Sequence, residues 1–157
     1  MDRKIYQSAL PKKRLSAGML LFDEQGQLLV VQPTYKDTWE IPGGVVETNE
    51  SPRQAAMREL EEELGLQCAP LRLLGVDYTG ENDNRTESLH FVFLGPVLTA
   101  EDIASINLEI DELRSYRLLP PKQAVKLLNK KLRRRVRRCL KVVNKKRTLY
   151  MEEQRSV

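Results

Sequence analysis

Apolar positions along the chain follow two kinds of pattern. Residues 15–22 and 27–31 are nearly continuous apolar runs separated by the turn-forming residues 23–26, which predicts two strands joined by a hairpin. Residues 71–78 and 113–118 predict further strands, and 38–41 a short one. Residues 88–94 alternate, with Leu89, Phe91 and Phe93 on one face and Ser88, His90 and Val92 on the other. Helical spacing occurs twice. Ala56, Met57, Leu60 and Leu64 form one stripe at roughly 100° per residue. After Pro120 and Pro121, the residues Leu128, Leu132, Val136, Leu140 and Val143 form another, predicting one long helix that reaches Val143. Residues 99–107 fit neither pattern and 80–85 read as a polar loop. Residues 1–13 read as a frayed arm and 148–157 as a loose tail.

The first helix has well-marked ends. Ser51 suits the N-cap, Pro52 the first turn, Gln54 completes a capping box, and Gly65 suits the position just past the C-terminus. Beside the apolar stripe, Glu59, Glu62 and Glu63 share one face at i,i+3 and i,i+4 spacing, with Arg58 at its flank. Gly43 and Gly44, before the helix, let backbone approach whatever the carboxylates face. Glutamates so spaced make either a solvated face or a site for a hard divalent cation bound by oxygens. The spacing alone leaves both open.

Composition narrows the class. A chain of 157 residues, 41% apolar and 31% charged, fits one soluble globular domain. Cys68 and Cys139 make no disulfide framework, no apolar run reaches membrane-spanning length, and 15–22 lacks a cleavage-site pattern, so a cytoplasmic protein is expected. The net charge of +4 hides an asymmetry. Residues 126–147 hold twelve of the 26 Lys and Arg and none of the 22 Asp and Glu. An acidic body therefore carries a basic segment.

Residues 44–66 decide between the readings of the glutamates. Gly44, Glu50, Arg58, Glu59, Leu60, Glu62, Glu63, Gly65 and Leu66 match, without gap or substitution, the nine specified positions of the Nudix box. The flanks at 38–44 (TWEIPGG) and 109–119 (EIDELRSYRLL) are also similar to that family. The resemblance implies the Nudix fold, an α/β (α+β) architecture with a mixed sheet layered in an α/β/α sandwich and the box as a loop–helix–loop. It divides the chain into an arm at 1–13, a Nudix domain at 14–145 that includes the basic helix, and a tail at 146–157.

It also implies a hydrolase of phosphoric anhydrides, using Mg2+ or Mn2+ to cleave a pyrophosphate bond in a nucleoside di- or triphosphate derivative. By the same resemblance Glu59, Glu62 and Glu63 divide metal binding and base duty, the Gly43 carbonyl adds a ligand, and Arg58 holds a box carboxylate in place. Glu50 braces the loop, and Glu109 is an additional ligand or base, or else an exposed loop residue. Subfamily marks are missing: Asn82 stands where ADP-ribose hydrolases tend to have Pro, and Asn84 where dinucleoside-polyphosphate hydrolases have Tyr. That leaves a nucleoside-triphosphate enzyme, including sanitisers of oxidised nucleotides, ahead of a nucleotide-sugar diphosphatase, an RNA 5′-end pyrophosphohydrolase and a non-catalytic nucleotide-binding module. The intact glutamates argue against the last. Tyr35, Trp39, Tyr78 and Phe91 could stack on a base but fit a core better, and His90 reads as structural. RNA ranks below free nucleotides as a partner, because the apolar stripe already accounts for the basic helix. No membrane partner is expected, and a homodimer stays open.

Overall fold

A computed structural model describes residues 1–157. In chain order the elements are α1 (Arg3–Ala9), β1 (Arg14–Leu20), β2 (Leu28–Pro33), β3 (Gly43–Val45), α2 (Pro52–Leu64), β4 (Arg72–Thr79), β5 (Ser88–Leu94), α3 (Ala100–Ala104), β6 (Leu113–Leu119), α4 (Pro121–Leu127), α5 (Lys130–Leu140), β7 (Leu149–Glu152) and β8 (Arg155–Ser156). Six strands form a mixed sheet in the order β3-β1-β5-β4-β7-β8, and β2 pairs with β6 in a second, two-stranded sheet. The β1–β5 and β4–β7 pairs are parallel; β1–β3 and β4–β5 are antiparallel.

The alternation in β5 sorts its side chains between two cores. Val92 joins Leu74, Val136, Cys139 and Met151 on the α4–α5 side, while Phe91 and Phe93 join Met19, Leu60 and Leu64 on the α2 side. The main sheet thus lies between helical layers, as the resemblance to the Nudix family implies. In α2, Ser51 and Gln54 form the capping box and Gly65 turns the chain at φ +69.

Four segments differ from expectation. The arm carries α1, capped by Asp2 but with no buried residue. The short strand lies on Gly43–Val45 rather than 38–41, where Trp39 and Glu40 make only isolated bridges. The long helix is two helices: Leu128 is extended (ψ 151), and Asn129 caps α5 through its side chain to Leu132 N. That break turns the buried Leu128 into the core instead of leaving it on the helical stripe. Residues 148–157 are no loose tail, because Leu149 and Met151 alternate inward and β7 extends the sheet beside β4. A tight turn at Glu153 and Gln154, both at positive φ, leads into β8. Residues 99–107, unassigned from pattern, contain α3 under a Thr99–Asp102 capping box. No helix is long and apolar enough to cross a membrane.

Candidate active site

Helix α2 packs its apolar stripe on the sheet, which turns the neighbouring glutamate stripe toward the β3 glycines. Gly43 N donates to Glu63 Oε2 at 3.2 Å. A Cβ on Gly44 would stand 2.6 Å from the Glu59 carboxyl carbon, so a larger residue there would push the Glu59 carboxylate out of this position. Arg58 ties the rest together. Its Nε and Nη2 fork onto Glu50 (2.7 and 2.9 Å), Nη2 also reaches the Val45 carbonyl (3.1 Å), and Nη1 bridges Glu59 (3.0 Å) and Glu62 (3.1 Å). Glu50 also accepts from Glu47 N at 3.1 Å, closing the loop before α2.

The carboxylates sit in unlike surroundings. Glu63 is only 8% exposed. Burial, and next the charge of Glu59, push its carboxyl up to about 9. Burial also raises Glu59, against the pull of Arg58. Glu50 is held down to about 2, chiefly by its bonds to Arg58. Glu62 is half exposed. The structure brings Glu59, Glu62 and Arg58 together and sets Glu63 against Gly43, but no three carboxylates converge as a ready-made metal cluster. The physical reason is that Arg58 Nη1 holds Glu59 and Glu62 while Glu63 turns to a backbone N–H. The donors present still suit a hard divalent cation. They are oxygens, and two are carboxylates whose desolvation disfavours their own charge until a cation offsets it.

Glu109 is exposed; its N–H donates to the Glu63 carbonyl at 3.1 Å. Glu112, three residues on, bears electrostatically on both Glu59 and Glu63. Sequence spacing gave no signal for Glu112 or for Glu40, whose charge also raises Glu63. Only the fold brings their loops to the end of α2.

Beside the β3 glycines opens a cavity of about 540 Å³, lined by Gly43 and Gly44 and by Arg14, Lys36, Arg85, Lys131 and Arg135. Arg14 Nε and Thr79 Oγ1 on its wall are buried without a hydrogen-bond partner. Of the candidate stacking residues, Phe91 alone lines this cavity. Trp39 is buried under Arg117, 5.0 Å from its ring, and Tyr78 bonds Glu87. His90, bonded at Nδ1 to Ser16 and at Nε2 to Ser88, forms part of the wall.

The family model for the NUDIX domain matches residues 12–141. The chain belongs to the Nudix family. An RNA pyrophosphohydrolase of Hydrogenovibrio crunogenus is 40% identical to this Nudix chain over 62 residues, which are 40% of this chain and 38% of the relative. One of Saccharophagus degradans is 45% identical over 64 residues, again 40% and 38%. The chain therefore aligns with well under half the length of these curated relatives. Among solved structures, a MutT protein from Methanosarcina mazei Go1 superposes with a TM-score of 0.70 at 24% identity, over 88% of this chain and 100% of that one. Such a likeness shows the Nudix fold.

Proposed function

We propose that the protein is a Mg2+-dependent pyrophosphohydrolase acting on nucleoside di- and triphosphate derivatives. One observation carries this: two desolvated carboxylates, Glu59 and Glu63, lie against the β3 glycines at the edge of a cavity whose walls supply cations and unpartnered donors. When bound, a divalent cation would neutralise phosphate charge and acidify the attacking water. Glu59, Glu63 and the Gly43 carbonyl would hold it. Glu62, half exposed and bonded through Oε2 to Arg58, would accept the water's proton on its other oxygen. Arg58 is a positioning residue that fixes Glu59 and Glu62 through one guanidinium. Arg14, Arg85 and Lys131 have no carboxylate partner within 4.0 Å and would bind phosphate oxygens. The free thiols Cys68 and Cys139 suit a cytoplasmic setting.

The similarity to RNA pyrophosphohydrolases supports a second reading, in which the anhydride lies at an RNA 5′ end. One experiment tests both readings. Nucleoside triphosphates, nucleotide sugars and a 5′-triphosphate RNA are incubated with and without Mg2+, and released phosphate and pyrophosphate are measured. Mg2+-dependent release from at least one class is expected. No release from any of them would overturn the proposal.

A further inference from the structure

The cations of the basic segment are not equivalent. Arg133 donates to the carbonyls of Val125, Lys126 and Leu128 and so closes the C-terminus of α4. Arg135, 7% exposed, pairs with the fully buried Asp77 at 2.8 Å. The others include a separate group that converges on a cleft of about 900 Å³ between α4, α5 and the β7–β8 hairpin. Helix α4 gives it Lys122 and Lys126; α5 and its C-cap give Arg134, Arg137, Arg138 and Lys141; β8 gives Arg155. None of these seven has a carboxylate within 4.0 Å, and none donates a side-chain hydrogen bond. Lys122–Lys126, Arg134–Arg138 and Arg137–Lys141 are like-charged i,i+4 pairs, a destabilising arrangement that an anion would relieve. The cleft's one acidic residue, Glu153, is engaged by Gly80 N.

A second observation also points to a ligand. Gln154 lines the same cleft at 4% exposure, and its Nε2 is buried with no hydrogen-bond partner. The β-turn holds it there at φ 60, with its N–H on Asp77 Oδ1 at 3.0 Å. A buried donor left unpaired is costly, and a turn of the Gln154 amide toward the cleft would let a phosphate oxygen satisfy it.

We propose that this cleft binds the phosphodiester backbone of single-stranded RNA. An acidic peptide fits less well: the lining has two hydrophobic residues and no aromatic to anchor peptide side chains, whereas a strand held by its phosphates alone needs no stacking platform. Guanidinium forks suit phosphate oxygens. Helix α5 also links the cleft to the box cavity. Lys131, Leu132 and Arg135 line that cavity, and the cleft-facing arginines lie about 120° further round the same helix at 100° per residue. An RNA with its 5′ end at the box could thus continue onto the cleft. This placement rests on the pyrophosphohydrolase reading; the cleft's affinity for RNA does not.

The test uses the full chain and a short 5′-hydroxyl RNA, which offers no anhydride to cleave. Binding is followed by fluorescence anisotropy across a salt series. Replacing Arg134→Ala with Arg138→Ala should weaken binding and lower the slope of log affinity against log salt by about 1.4, from about 0.7 per lost phosphate contact on a single strand. Lys122→Ala with Lys126→Ala should do the same, and both variants should keep wild-type turnover of free nucleotides. An unchanged slope in both pairs would overturn the proposal. So would displacement of the RNA by inorganic tripolyphosphate at equal phosphate concentration, which would make the cleft a small-anion site. Intact RNA binding with lost binding to a polyglutamate peptide would reassign the cleft to a protein partner and likewise overturn it. If the slope falls as expected but the wild type hydrolyses no nucleotide, the RNA cleft stands and the pyrophosphohydrolase reading fails.

Discussion

Helices α2 and α5 flank opposite faces of the main sheet, and each carries a run of like charge, four glutamates between Glu59 and Glu63 in α2 and seven Lys and Arg in α5. They treat that charge in opposite ways. In α2 the glutamates are drawn inward: Glu63 is buried against Gly43, Glu59 meets Gly44, and Arg58 gathers Glu50, Glu59 and Glu62 on one guanidinium. In α5 only Arg135 is buried and paired; Arg134, Arg137 and Arg138 stand free over a cleft. A desolvated, bridged cluster has shifted proton affinities and fixed geometry, which is what bond-breaking chemistry needs. A solvated, unbridged cluster supplies an attractive field suited to holding a polyanion.

The sharpest way to break this contrast is at the box. Glu62→Gln should keep the fold, because Glu62 is half exposed and its ion pair with Arg58 is of the surface kind, worth under about 1 kcal/mol. Steady-state turnover with Mg2+ should nevertheless fall by at least about two to three orders of magnitude, the range for loss of acid–base catalysis. An unimpaired Glu62→Gln enzyme would remove the glutamates from the chemistry. The largest effect on α5 should come from its single buried pair. Asp77→Ala strands the Arg135 guanidinium in the interior and should cost about 3–5 kcal/mol in denaturant unfolding. A loss of only a few tenths would mean that Arg135 is no anchor.

How much of this was legible in the sequence differs between the two helices for a physical reason. The box is local: caps, glycines and carboxylates lie within 24 residues, so fixed spacing suffices to place Glu59, Glu63 and Arg58 near Gly43 and Gly44. The strands were legible because alternation in β5 assigns Val92 and Phe93 to opposite cores. What depended on distant partners was missed. Nothing local marks Arg135 as the buried one among its neighbours, since Asp77 lies 58 positions away. The break at Leu128–Asn129 is set by burial of Leu128, and the β7–β8 hairpin by an open edge on β4. Glu112 and Glu40 likewise act on α2 only after folding.

A smaller effect sharpens the view of Arg135 as the one α5 charge that reaches into the sheet. His90 is pushed down to about 4, first by burial and next by the Arg135 charge. Its unfolded value is near 6.5, so between those limits the unfolded chain binds a proton that the folded protein does not. Stability present above about pH 6.5 is therefore lost as pH falls toward about 4, by roughly 2–3 kcal/mol from this group. His90→Gln should flatten the stability–pH curve in that window by up to one proton's worth of slope. Equal slopes in wild type and variant would show that His90 takes no part.

The smallest effects should come from the exposed face of α5, and they test whether that helix is held by its apolar stripe or by its charge. Leu132 is partly buried and packs against the core beneath α5. Truncating it removes apolar contact from a site that solvent partly reaches, so Leu132→Ala should cost about 1–2 kcal/mol, less than a fully buried leucine. Arg134 and Arg138 make no ion pair, and at i,i+4 they repel each other. Replacing both with Ala removes that repulsion and introduces a better helix former, so the net change in unfolding free energy should stay within about 0.5 kcal/mol and lean toward stabilisation. Urea denaturation at low salt measures both variants side by side, and low salt keeps the repulsion unscreened. If the arginine pair proves more costly than Leu132, those side chains hold the helix in place, and their freedom to meet an anion would have to be given up.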